Sequence, residues 1–421
     1  MAKELTRQTQ PKLDKCQYGN IKGSSTTHYL INLLHMAYVS TEEGKATTAV
    51  TIDYSKAFDY IDHTILVTKL INMGISASLI KILISFLTNR SQCTRIGSEL
   101  SSFKTITCGV PQGTINGPKL FIIMINGDSD DEIAHFKFVD DKTIAIIHTD
   151  DPSQPLQNRL NTIASEANEN SMVINAKKCH SITFNFSNSN KPPKLLQIDN
   201  NVIKSENTIR LLGVNITNDL KWANNTNKIC KNVNSMFYKL CKMKSFGATR
   251  DDLIKLWTTI LRPCAEYASP VWHPGLTLKD SQKLEKLQKT ALAIILGRHY
   301  TNFKPYYKVE DNYVSYKEAL MLLGLESLKQ RREGLVTKFA KDILKSSTHR
   351  KMLPDERKPA NTRQRLQIPG NNSEPKKEII VLKETKPGTS RFENSPIPYM
   401  TRTINKLKLT RPKKNDYYIR L

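Results

Sequence analysis

Two apolar runs in this chain each end in acid, and few folds can hold both. Asp53 follows Ala49-Val50-Thr51-Ile52, and Asp140-Asp141 stands between Ala134-His135-Phe136 with Phe138-Val139 on one side and Thr143-Ile144-Ala145-Ile146-Ile147 on the other. Runs of this kind read as buried strands. An ionised carboxylate there is costly unless something compensates it. A hard divalent cation does so, because oxygen donors without His or Cys select Mg²⁺ or Mn²⁺. Taken singly, each feature also has a plainer reading: an Asp-Asp pair makes a solvated hairpin turn, and a terminal Asp makes a helix N-cap.

The stretch between them favours the first reading. Gly109-Val110-Pro111-Gln112-Gly113-Thr114-Ile115-Asn116-Gly117-Pro118 leads into Lys119-Leu120-Phe121-Ile122-Ile123-Met124-Ile125-Asn126. Its glycines and prolines make a shaped loop opening an apolar helix, with Pro118 suited to the first turn. Paired metal ions held by aspartates from separate strands are the apparatus of in-line phosphoryl transfer.

Asp53-Tyr54-Ser55-Lys56-Ala57-Phe58-Asp59, Gly109-Val110-Pro111-Gln112-Gly113-Thr114 and Phe138-Val139-Asp140-Asp141 resemble, in this order, the palm motifs of reverse transcriptases, in the form found in non-LTR retrotransposons of the jockey and related clades. Asn170-Ser171-Met172-Val173-Ile174-Asn175 with Lys178-Cys179 is similar to the fourth palm motif, and Leu211-Leu212-Gly213-Val214 with Leu220-Lys221-Trp222 to the primer grip. Gln17-Tyr18-Gly19 and Gly23-Ser24-Ser25-Thr26-Thr27 resemble the segment preceding the palm. Leu261-Arg262-Pro263, Glu266-Tyr267-Ala268 and Val271-Trp272 resemble the helical thumb region.

The resemblance implies an RNA-directed DNA polymerase that joins a dNTP to a primer 3′-hydroxyl on an RNA template, with two Mg²⁺ ions or Mn²⁺ in their place. It implies Asp53, Asp140 and Asp141 as metal ligands and catalytic groups, and Lys178 (or Lys177) as the proton donor to pyrophosphate. Phe58 would be a steric gate against a 2′-hydroxyl, and Gln112 and Gly113 would flank the nucleotide. Leu212, Gly213 and Trp222 would seat the primer. Left to themselves, Phe58 reads as ordinary core and Lys177-Lys178 as a solvated pair.

Departures accompany the match. Only sixteen residues precede Gln17, and none forms the family's Arg-Pro-Ile-Ser-Leu; Asn20-Ile21 replaces its Phe-Arg, and Asn116 and Lys119 stand where relatives place Leu. The expected object is therefore an N-terminally incomplete enzyme with partial fingers. Its alternative is a catalytically impaired remnant that only binds nucleic acid. An RNA-directed RNA polymerase or maturase shares the palm logic, but Phe58 argues against RNA synthesis.

Composition agrees. Of 421 residues, 39% are hydrophobic and 24% charged, which describes a globular chain, and the net charge of +24 suits a polyanionic partner. Residues 329–421 carry 24 Lys and Arg against 9 Asp and Glu. The seven cysteines are scattered without a C-x-x-C pair, so neither a disulfide frame nor a zinc site is expected. The polar start lacks a signal-peptide core and no apolar run is long enough to span a membrane, so the expected place is the nucleus or cytoplasm. Arg411-Pro412-Lys413-Lys414 could serve nuclear import.

The expected fold class is α+β, a right-hand polymerase palm: a mixed or antiparallel sheet with helices on one face, partial fingers, and an α-helical thumb. Strands are predicted at 47–53, 134–139, 143–149 and 180–186, a hairpin at 91–108 turning near Gly97, and helices at 24–39, 62–73, 76–89, 116–127 and 153–171. The divisions are 1–48 (partial fingers), 49–225 (palm with primer grip), 226–345 (helical thumb) and 346–421 (basic, flexible extension).

Overall fold

Ala46–Ile52 is mostly β-branched and carries no breaker, a composition that fits a strand with neighbours on both edges. In the computed structural model, which describes residues 1–127, 133–187, 191, 193–297, 314–357 and 379–409, it is the middle strand of a five-stranded sheet. The chain divides into two compact units, Met1–Leu212 and Gly213–Leu421. The palm was expected to run on to 225.

The first unit starts with helices α1 (Ala2–Thr9) and α2 (Thr26–Glu42), then strand β1 (Ala46–Ile52), α3 (His63–Asn72) and α4 (Ala77–Leu87). Asp62 begins α3 by accepting from the amides of Thr64 and Ile65. Four short strands follow: β2 (Arg90–Gln92), β3 (Arg95–Ile96), β4 (Glu99–Leu100) and β5 (Lys104–Ile106). β3 pairs with β4 across Gly97, and β2 with β5. Helix α5 (Gly117–Met124) has Pro118 in its first turn, and β6 (Ala134–Phe138) and β7 (Asp141–His148) form a hairpin. After α6 (Ser153–Glu169) come β8 (His180–Phe184), the pair β9 (Gln197–Ile198) and β10 (Asn201–Val202), β11 (Lys204–Ser205) and β12 (Thr208–Leu211).

The sheet order is β11-β8-β1-β7-β6, antiparallel except where β11 runs parallel to β8. The mixed sheet is that expected. Val50, Ile52 and Ile144 point into one apolar core with Leu66 and Leu70 of α3, Leu83 of α4, Phe121 of α5 and Leu160 of α6. Helices α3 to α6 are thus the cover expected on one face. Helix α2 meets the other, where the Tyr29 hydroxyl donates to Thr143 Oγ1 at 2.6 Å and Ser40 and Thr47 share a hydrogen bond.

The second unit contains β13 (Val214–Thr217), α7 (Ala223–Ser245), α8 (Arg250–Leu256), α9 (Arg262–Glu266), α10 (Ser269–Trp272), α11 (Leu278–Leu296), α12 (Tyr316–Leu322) and α13 (Leu328–Lys345). Phe237 of α7 stacks on Trp257, both in the buried interior. The stretch from 346, expected as a flexible extension, has helices among its described residues. Its described part includes α14 (Ser390–Glu393) and α15 (Pro396–Leu407), and α15 packs on α13 with Ile397, Met400 and Ile404 buried. Those three apolar side chains share one helical face, and their burial explains the helix. The basic run at 411–414 lies outside the described residues. Among the described residues no helix is long and apolar enough to cross a membrane.

Candidate active site

Antiparallel register decides whether the acids can meet. In the β1–β7 ladder Ile52 lies opposite Lys142, so one further step sets Asp53 opposite Asp141. Side chains alternate along a strand, and both acids fall on the face opposite Ile52 and Ile144. The β6–β7 hairpin pairs Phe138 with Asp141, leaving Val139 and Asp140 as a two-residue turn. Asp141 therefore lies in the strand, two residues before the predicted start at 143, and only Asp140 belongs to the turn.

The turn is strained. Val139 has φ +58°, and a β-branched residue in the left-handed region costs roughly 1–2 kcal/mol. Gln17 meets the same turn: its Oε1 accepts from the Val139 amide at 3.1 Å and from the Gly19 amide at 2.8 Å.

The carboxylates act on one another. Burial, then the charges of Asp140 and Asp53, push Asp141 up to about 6. Burial and Asp53 raise Asp140 as well. Asp53 Oδ2 is buried without a hydrogen-bond partner, and the ammonium of Lys178 stands 3.6 Å away. An orphaned carboxylate oxygen beside two acids of raised pKa is a donor set that fits a hard cation, and no His or Cys is needed.

Among the described residues, the set of potential ligand atoms all within 4.8 Å of one another is a different one: Asp14, Cys16 and His135. Its carboxylate is already in use. Asp14 Oδ2 lies 2.9 Å from both His135 Nε2 and Lys137 Nζ, and Oδ1 accepts from the Cys16 amide at 2.8 Å. Lys137 occupies the place a cation would take. Asp53, Asp140 and Asp141 are arranged differently, with Asp53 and Asp141 at the ends of two adjacent strands and Asp140 in the turn.

The other expected residues fall into groups. Lys178 reaches Asp53 because residues 173–175 run beside 53–55: Ser55 donates to the Val173 carbonyl and Asn175 to that of Asp53, each at 2.8 Å. Phe58 stacks on Phe121 of α5. Gln112 Nε2 donates to Asp59 Oδ1 at 3.1 Å, and the Val110 amide to the Phe58 carbonyl at 2.9 Å, so the glycine-rich loop docks on the segment after Asp53. Gly113, with φ +75°, has open space where a Cβ would point.

The primer-grip residues lie apart in character. Leu212, φ +46°, closes the first unit. Gly213 is exposed in the second, 3.2 Å from the Tyr267 ring at the position a Cβ would take. Trp222 is only 3% exposed and is packed against Gly275, so its side chain supports the second unit's interior. Sequence reasoning missed Asp14, His135 and the Gln17 contact, none of which has a local signal. Asn116, singled out only as a departure, is 6% exposed with an unpartnered Oδ1.

A mixed sheet with three acids at the ends of neighbouring central strands, flanked by a lysine and a docked glycine-rich loop, is a polymerase palm. Residues 1–216, just over half of the chain, match the family model described as reverse transcriptase (RNA-dependent DNA polymerase), and the chain belongs to that family. It is 24% identical over 305 residues to the RNA-directed DNA polymerase from mobile element jockey of Drosophila melanogaster, covering 68% of this chain and 32% of that protein. It is also 24% identical over 241 residues to the retrovirus-related Pol polyprotein from type-1 retrotransposable element R2 of Popillia japonica, covering 50% and 39%. The chain thus spans about a third of the length of the curated relatives it matches. Among solved structures, telomerase from Candida Tropicalis in complex with a fragment of telomeric RNA aligns with 83% of this chain and 56% of its own, at 11% identity and a TM-score of 0.41, too low a likeness to bear on function.

Proposed function

We propose that this chain carries the catalytic palm of a retrotransposon RNA-directed DNA polymerase, extending a DNA primer on an RNA template with dNTPs. The observation behind this is the register that sets Asp53 opposite Asp141 on one face, with Asp140 in the adjoining turn. Reverse transcriptases in general use divalent metal ions. Asp53, Asp140 and Asp141 would hold two, with Mg²⁺ the expected ion and Mn²⁺ a substitute, and ions bound there would neutralise charge developing on the transferred phosphate and the leaving oxygen.

The chain's own residues do the rest. Asp53 and Asp141 fix the acidic row along two strands that cannot drift apart, and Asp140 projects from their connecting turn. Lys178, held near Asp53, is the proton donor for departing pyrophosphate. Phe58, backed by Phe121, closes the space a 2′-hydroxyl would need. Gln112 and the open backbone at Gly113 offer N–H groups to the sugar and phosphates, and Leu212 and Gly213 bear on the primer. Helix α7 has lysines and no acidic residue over Ala223–Ser245, with Lys228, Lys231, Lys239 and Lys242 exposed beside exposed Tyr238. Such a face suits phosphates and stacked bases.

That helix also favours the second reading, a remnant that binds nucleic acid without chemistry. Primer extension on an RNA template separates the two. Extension by the chain, falling at least about a hundredfold in Asp140→Asn, is the expected result, since a lost ligand removes electrostatic stabilisation of the transition state. Retained RNA binding without extension by either protein selects the remnant, and equal extension by both ends the assignment of Asp140.

A further inference from the structure

We propose that Gln17 is a positioning residue for the acidic turn, acting through the backbone of Val139. This rests on the reading above, in which Asp140 and Asp141 hold metal. Gln17 is 4% exposed and stands 122 residues before its partner in sequence. Its main chain lies along the outer edge of β6: the Tyr18 amide donates to the Lys137 carbonyl at 2.8 Å, and the Lys137 amide to that of Cys16 at 3.0 Å. This backbone pairing aims the side chain past the end of β6, where one oxygen accepts from two amides, those of Gly19 and Val139.

The second of those amides matters for the acids. It belongs to the peptide between Phe138 and Val139, so the hydrogen bond fixes the plane from which the turn departs. Val139 is the β-branched residue held at φ +58°, a conformation it keeps only when its surroundings impose it. Asp140 is the next residue and Asp141 the one after. The approach is tight from the other side as well: a Cβ on Gly19 would come 2.5 Å from Val139 N and 2.6 Å from its Cγ2. The segment 17–19 therefore both supplies the accepting oxygen and fits closely against the turn. An amide-bearing side chain is suited to this, since its oxygen accepts without adding charge beside the carboxylates.

Displacing a catalytic group by about an ångström can cost roughly a hundredfold in rate, so a clamp on the turn acts on turnover and not on substrate affinity. The test replaces Gln17 by Met, which keeps the shape and removes the acceptor, alone and with Val139→Gly, which makes φ +58° unstrained. Three readouts are taken: metal-free hydrogen exchange at the Val139 and Asp140 amides, Mn²⁺ affinity, and kcat and KM for dNTP in RNA-templated extension. In Gln17→Met the expected changes are at least about tenfold faster exchange at those amides, weaker Mn²⁺ binding and at least about tenfold lower kcat, with KM within about twofold. Val139→Gly in that background recovers most of the kcat.

Unchanged exchange and Mn²⁺ affinity in Gln17→Met would overturn the proposal. So would a kcat loss that Val139→Gly does not repair, which would mark a general structural role. If the unaltered chain extends no primer, the polymerase reading fails by that result alone, while exchange and Mn²⁺ affinity still decide for or against the clamp.

Discussion

Phe58 stacks on Phe121 with ring centroids 4.7 Å apart and planes 21° from parallel. Phe121 is wholly buried in α5, so the Phe58 ring is held against a fixed wall. A rigid ring discriminates by shape better than a mobile one, because making room for a hydroxyl would require repacking the core. Phe58→Val should therefore raise ribonucleotide incorporation relative to deoxynucleotide by at least about tenfold, a size typical of discrimination built on one steric contact. Single-nucleotide incorporation with matched rNTP and dNTP pairs measures it, and an unchanged ratio would remove Phe58 from the gate.

Lys178 faces Asp53 from an exposed position, so its contribution to stability is small and its contribution to chemistry can be isolated. Lys178→Ala should lower kcat roughly tenfold or more, the low end for a lost general acid, and leave RNA binding intact. Lys178→Arg, which keeps the charge but holds its proton too tightly to give it up, should restore binding of the charged leaving group without restoring the pH dependence. A pH–rate profile identical in all three proteins would show that Lys178 transfers no proton.

The Asp14, His135 and Lys137 cluster makes a pH prediction with a defined sign. The hydrogen bond with Asp14, against the cost of burial, pushes His135 up to about 9. Burial would raise Asp14, but His135 and Lys137 hold it well below the usual carboxylate range. The Asp14 contribution is complete above a free carboxylate's value of about 4 and is lost as pH falls below it. The His135 contribution is complete below about 6.5 and is lost as pH rises through about 9. Paired urea denaturation of the chain and His135→Gln should show the parent's advantage shrinking by about 1–2 kcal/mol between pH 6.5 and 9.5, less than the whole shift implies because solvent screens the pair. Effects of other groups are shared by the two proteins and cancel in the difference.

What the sequence made legible was local. β1, the β6–β7 hairpin and α5 with Pro118 each follow from a run, a turn or a helix start within a few residues. Asp53 and the Asp140-Asp141 doublet were visible because acid at the end of an apolar strand is anomalous by itself. The long-range contacts near the doublet were not. Gln17 meets Val139 across 122 residues and Asp14 meets His135 across 121, and no pattern in a window encodes such pairs. Helix α15 was missed for another reason: Pro396 and Pro398 mark a break in a linear reading, whereas at a helix's first turn proline is favoured. Trp222, singled out by the primer-grip resemblance, is buried, a fact no local pattern disclosed.

Lys142 follows Asp141 in β7 and points to the other face, into the core side of the sheet. It is 5% exposed, opposite Lys137 in the hairpin register, with Glu166 contributing a compensating charge. Burial, then Lys137, push its ammonium down to about 7. A folded-state value below that of a free lysine, about 10.4, means that the fold favours the neutral amine. The cost of holding the charge is therefore complete below pH 7, declines as pH rises, and is gone above about 10.4. Lys142→Met fills the same space without charge. It should stabilise the chain by about 1–3 kcal/mol at pH 6, in line with other replacements of buried ions, and by less at pH 9.5. Paired urea titrations of the two proteins cancel the His135 effect, which both share. A variant less stable than its parent at pH 6 would show that Lys142 contributes net stability through its partners.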